Sequence, residues 1–102
     1  MKTVNTLELK EWQKQAKKFI ILDVRSKSEY EEGHIPGSLL VPLDILEKEF
    51  LNKLTDKSET IVCVCHSGTR SALATNFLES QGYTNVYNLV GGFMVYNMFE
   101  ND

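Results

Sequence analysis

A chain of 102 residues has room for one domain with one modest core, burying about 60–65% of the surface its unfolded form exposes. Its net charge is −3 with acidic and basic residues interspersed, which argues against a nucleic-acid or polyanion surface. The apolar runs are far shorter than the ~20 residues of a membrane helix, and a start containing Lys2, Glu8, Lys10 and Glu11 lacks the apolar core of an export signal, so the cytoplasm is the expected location.

In chain order, Thr3-Val4 fits a short edge strand, and Thr6 is placed to cap a helix whose apolar face carries Leu9, Trp12 and Ala16. Phe19-Ile20-Ile21-Leu22 reads as a short buried strand ending at Asp23. Ser26 and Glu29 have the spacing of a capping box for one helical turn, which Gly33 stops. His34-Ile35-Pro36-Gly37 is a turn signature leading into a strand over Ser38 to Val41. Pro42 fits a helix start, and Leu43, Leu46, Phe50 and Leu54 repeat at helical spacing. A polar connector, Thr55 to Glu59, precedes Ile61-Val62-Cys63-Val64-Cys65, whose composition suits a strand buried on both faces. From Thr69 the spacing is helical again, with Leu73, Ala74, Phe77 and Leu78 as the apolar stripe and Gly82 as the stop. Val86 to Leu89 forms the last strand, and Phe93 to Phe99 a terminal helix. Alternating strands and helices predict an α/β domain over 1–102 with a central, mostly parallel five-stranded sheet and helices on both faces.

The chemistry is expected where the strand ending at Cys65 meets the helix beginning at Thr69. A loop entering a helix N-terminus points several backbone N–H groups at one spot and favours negative charge there. Cys65 can supply that charge as a thiolate. Lowering a free thiol from about 8.5 by two units takes about 2.7 kcal/mol, whereas a helix dipole contributes only ~0.3–1 kcal/mol. The rest must come from loop amides, with Gly68 supplying the unusual backbone angles, and from a cation, Arg70 or His66. Asp23 and Arg25, at the carboxyl end of their strand, read as supporting groups, and His34 as a histidine that bonds backbone to fix its turn. Cys63 and Cys65, one residue apart in a strand, have poor geometry for a disulfide. Cys63, Cys65, His66 and His34 do not converge tetrahedrally, so no metal is expected.

At this point the sequence resembles the rhodanese-like sulfurtransferases, specifically their single-domain members. Four blocks carry the resemblance in order: Leu22-Asp23-Val24-Arg25; Glu29-Tyr30 with Gly33-His34-Ile35-Pro36-Gly37-Ser38 and Val41-Pro42; Cys65-His66-Ser67-Gly68-Thr69-Arg70-Ser71; and Gly82-Tyr83 through Val86, Leu89 and Gly91-Gly92. The resemblance implies a rhodanese-like fold and a Cys65 that carries sulfane sulfur as a persulfide without a cofactor. It also implies a Tyr96 that packs where the family commonly has Trp. The donor would be thiosulfate or a small persulfide, and the acceptor cyanide or a thiol, such as a thioredoxin-like or other sulfur-relay protein. The loop His66 to Arg70 would cradle the sulfur, with Thr69 and Ser71 as helix-start hydroxyls. Arg70 would orient an anionic donor or brace the loop through backbone carbonyls. Two other readings stand beside this one. A dedicated sulfur carrier or docking module would use the same nucleophile. A cysteine phosphatase or arsenate reductase would need a wider cradle, resembling Cys-x5-Arg, and this loop is one residue shorter.

Overall fold

The computed structural model describes residues 1–100. The elements run β1 (Lys2–Val4), α1 (Thr6–Lys14), β2 (Ile20–Asp23), α2 (Lys27–Glu32), β3 (Leu39–Leu40), α3 (Leu43–Lys53), β4 (Ile61–Val64), α4 (Thr69–Ser80), β5 (Val86–Leu89) and α5 (Gly92–Glu100). The strands form one sheet in the order β1-β5-β4-β2-β3. Every pairing is parallel, so the sheet is wholly rather than mostly parallel, and β1 is an edge as its sequence suggests.

Successive side chains of a strand point to opposite faces, and β4 shows why an unbroken apolar run was needed at the centre. Ile61 and Cys63 pack on one face with Leu46 and Phe50 of α3 and Ala74 and Leu78 of α4. Val62 and Val64 pack on the other with Leu9 of α1 and Tyr96 of α5. All four β4 residues are fully buried, each large side chain contributing about 1.5–3 kcal/mol relative to exposure. Tyr96 is buried in the second cluster, the packing role expected of it.

Several local expectations are corrected. The cap of α1 is Asn5 rather than Thr6: the Glu8 N–H donates to Asn5 Oδ1 at 2.8 Å, and Glu8 returns the bond to the Asn5 N–H. Both residues are good caps, and the reciprocal partner Glu8 lies three positions after Asn5. Ala16 is exposed beyond the end of α1 at φ 56°, so the helix is shorter than its apolar spacing suggested. Leu73 is exposed, while the buried face of α4 is Ser71, Ala74, Thr75 and Leu78. These four follow i, i+3, i+4, i+7, and Leu73 lies two residues from Ser71 and Thr75 and so points elsewhere. β3 is limited to Leu39–Leu40. The Ser26–Glu29 capping box of α2 forms as read, and the turn at Pro36-Gly37 closes with Ser38 N–H donating to Ile35 O.

Candidate active site

Cys65 is the first residue beyond β4, at the end of the sheet where Asp23 and Arg25 leave β2 and Gly91 follows β5. Its side chain continues the alternation of Ile61 and Cys63 and turns toward α4. Gly68 adopts φ 118°, which an L side chain rarely reaches, and this bend turns the chain back so that its N–H donates to Cys65 Sγ at 3.0 Å. Ser71, in the first turn of α4, brings its hydroxyl to 3.3 Å from Sγ. Burial is the largest influence on the thiol and raises its pKa. The Ser71 hydroxyl and the amides of Ser71, Gly68 and Ser67 together outweigh it, and the net direction is down from the ordinary cysteine value.

The donors that reach Sγ are Ser67, Gly68 and Ser71, the last of them already inside α4. One sequence expectation about this thiol is corrected: the cation is not at the sulfur. Arg70 donates to both carboxylate oxygens of Glu29 on α2, at 2.7 and 2.8 Å, and the thiolate is a minor influence on it beside that carboxylate. Arg70 therefore braces the loop through a side chain of another helix, and not through backbone carbonyls. The pair holds Glu29 far below the usual carboxylate range. His66 is exposed, as is Ser67.

The loop carbonyls are held from a direction that local spacing did not reveal. The N–H groups of Phe93 and Met94, at the start of α5, donate to Cys65 O at 2.8 Å and His66 O at 3.0 Å. With those carbonyls bound on one side, the loop amides face the sulfur. Gly92 makes this approach possible, since a Cβ there would lie 2.5 Å from both carbonyl oxygens. On the α4 side, Asn88 of β5 accepts from the Ser71 hydroxyl and donates to Gly68 O at 3.2 Å. The readable signal for Asn88 was a polar residue inside an otherwise apolar strand, which needs a partner when buried.

Asp23 and Arg25 form a buried ion pair at 2.7 Å, and Arg25 also donates to Gly33 O at 2.8 Å and lies 4.5 Å from the Phe93 ring centroid. The two residues thus tie β2, the end of α2 and the start of α5 together below the loop. His34 stacks on Tyr30 at 3.7 Å, and its Nδ1–H donates to Tyr30 O at 2.8 Å, so it serves its turn. Cys63 is fully buried, and burial pushes its thiol up to about 12. Cys65 itself is only 1% exposed, deeper than a freely open loop would leave it. Two clefts adjoin the loop, at His66 and at Arg70: one of about 620 Å³ lined in part by Glu29, His66, Phe93 and Met98, and one of about 350 Å³ lined in part by Asp44 and Arg70.

The arrangement can hold a thiolate, or a sulfur bonded to it, with neutral donors and no direct cation. Residues 5–98 match the rhodanese-like domain. The chain is 46% identical over 72 residues to the putative sulfur carrier protein YrkF of Bacillus subtilis, covering 71% of this chain and 38% of that protein. It is 31% identical over 70 residues to the thiosulfate sulfurtransferase PspE of Escherichia coli, covering 69% and 67% of the two chains. Among solved structures, a rhodanese-like domain protein from Staphylococcus aureus superimposes with a TM-score of 0.87 at 35% identity over 94% of this chain and 91% of that one. With the family match spanning residues 5–98 and the fold superimposing on a solved member, the chain belongs to the rhodanese-like domain family.

Proposed function

We propose that the protein transfers sulfane sulfur through a persulfide on Cys65 in a ping-pong cycle. The Cys65 thiolate attacks the outer sulfur of thiosulfate or a persulfide, the donor's S–S bond breaks, and sulfite or a thiolate leaves with the bonding pair. A nucleophilic acceptor, cyanide or a thiol, then attacks the outer sulfur and returns the Cys65 thiolate. The observation that carries this reading is the placement of Sγ against the Gly68 N–H and the Ser71 hydroxyl inside a Cys-x4-Arg loop. Such donors stabilise negative charge as it moves between the inner and outer sulfur. In this reading Cys65 is the nucleophile and Ser67, Gly68 and Ser71 are the cradle. Arg70, Asp23 and Arg25 hold the loop in position. Mass spectrometry after treatment with a sulfane-sulfur donor tests it: the expected result is one added sulfur on the protein and none on Cys65→Ser. An unmodified wild-type chain, or an equally modified variant, would overturn the reading.

A second reading, a dedicated carrier that exchanges sulfur with one protein partner, draws on the near-complete burial of Cys65 and on the name of the relative YrkF. Such a partner would be a thioredoxin-like or other sulfur-relay protein. Unloading separates the two readings. Cyanide or a small thiol discharges the persulfide of a general transferase, whereas that of a dedicated carrier persists until a protein acceptor is supplied.

A further inference from the structure

The charges around the loop bear on which sulfur donor it takes. Both guanidinium groups near it are already neutralised: Arg25 by Asp23 in a buried pair, and Arg70 by both oxygens of Glu29. Glu32 in the larger cleft and Asp44 in the smaller one have no ion-pair partner among the described residues. The two clefts beside the loop therefore present carboxylates, and both guanidinium groups that line them, Arg25 and Arg70, are already paired. The larger cleft also has an apolar wall formed by Phe93, Met94 and Met98. Met94 and Met98 lie one helical turn apart on α5 and are 45% and 63% exposed, and thioether side chains adapt to varied apolar shapes.

Building on the persulfide reading, we propose that the site prefers an organic sulfane-sulfur donor, a persulfide or thiosulfonate carrying at most one negative charge, with its carbon body against Phe93, Met94 and Met98. Glu29 is the specificity-determining residue, because its hold on Arg70 denies the dianion thiosulfate the one guanidinium that could receive it. A dianion must displace the Glu29 carboxylate from a two-point bond or enter past uncompensated like charge. An organic donor needs neither. The transfer itself is unchanged: the Sγ–S bond forms as the donor's S–S or S–SO₂ bond breaks, and the thiolate or sulfinate leaves with the electron pair. A proton on the outer sulfur of a persulfide stays with the new Cys65 persulfide. No oxidant or reductant is consumed.

The test measures Cys65 persulfide formation by mass spectrometry with thiosulfate, methanethiosulfonate and benzenethiosulfonate, each rate normalised to that donor's reaction with a small free thiol. The expected order is benzenethiosulfonate, then methanethiosulfonate, then thiosulfate. In Glu29→Gln, which keeps a side chain able to complete the capping box, the thiosulfate rate relative to benzenethiosulfonate should rise about ten-fold, through KM, on release of Arg70. In the wild type, thiosulfate loading should climb with ionic strength as the carboxylates are screened, a measurement that does not depend on any variant folding. A normalised thiosulfate rate equal to that of the organic donors, an unmoved thiosulfate KM in Glu29→Gln, or loading that falls with salt would each overturn the inference while leaving persulfide formation intact. Failure of the wild type to load from any donor would overturn the persulfide reading itself.

Discussion

At Cys65 the balance is between burial, which favours the neutral thiol, and hydrogen bonds, which favour the thiolate. Ser71 is decisive because its contact is a side chain that can be removed without altering the backbone. Its single hydroxyl proton faces three acceptors, Cys65 Sγ, Gly68 O and Asn88 Oδ1. Ionising the sulfur strengthens its claim on that proton, since hydrogen bonds to a charged acceptor are the stronger ones. Such a bond contributes about 1.5–3 kcal/mol, so Ser71→Ala should raise the Cys65 pKa by about one to two units. The sign follows from the direction of the wild-type shift: a lowered pKa means more thiolate near neutrality, and removing the donor takes it away. Alkylation followed against pH should give a wild-type midpoint below that of free cysteine and a variant midpoint displaced upward. Coincident midpoints would mean that the hydroxyl serves only Asn88.

The elements differ in how they reach the loop, and this sets what could be read from the chain. β4, the bend at Gly68 and α4 are contiguous, so Cys65, the turn and the helix start were visible as one run of residues. The capping box of α2 was equally local. The hold of α5 on the loop was not, because a backbone N–H meeting a backbone carbonyl leaves no mark on either side chain. Only Gly91-Gly92 hinted at it. Gly92 has φ +61° and lies so close to the Cys65 and His66 carbonyls that a methyl group would overlap them. Gly92→Ala should therefore destabilise the fold by about 1–3 kcal/mol from overpacking, with roughly 1–2 kcal/mol more from the left-handed backbone. It should also loosen the loop it presses on. Denaturant titration gives the first effect, and the second appears as a Cys65 alkylation midpoint closer to the free thiol. A variant as stable as the wild type would show that α5 can withdraw without cost.

For the molecule as a whole, parallel strands and alternating helices follow from apolar periodicity, and the order β1-β5-β4-β2-β3 places three strand ends around one loop. The bond between distant parts was the illegible portion. Glu29 and Arg70 are 41 residues apart, and each has a sufficient local explanation, as a cap partner and as an anion binder, that conceals their meeting. Their pair links α2 to α4 and gives the fold an acid-sensitive tie. The Arg70 hydrogen bonds hold the Glu29 carboxyl far below its ordinary value of 4.5, so as pH falls the unfolded chain takes up a proton at this residue before the folded chain does. A carboxylate depressed on folding contributes stability that is fully present above its unfolded pKa and lost progressively below it, here from about pH 5.5 downward. Glu29→Gln should accordingly be less stable than the wild type near neutrality. Its urea midpoint should fall less steeply from about pH 5.5 to 3 than that of the wild type, so that the two curves converge in acid. Curves that stay parallel across that interval would show that the pair, though well formed, does not couple the two helices.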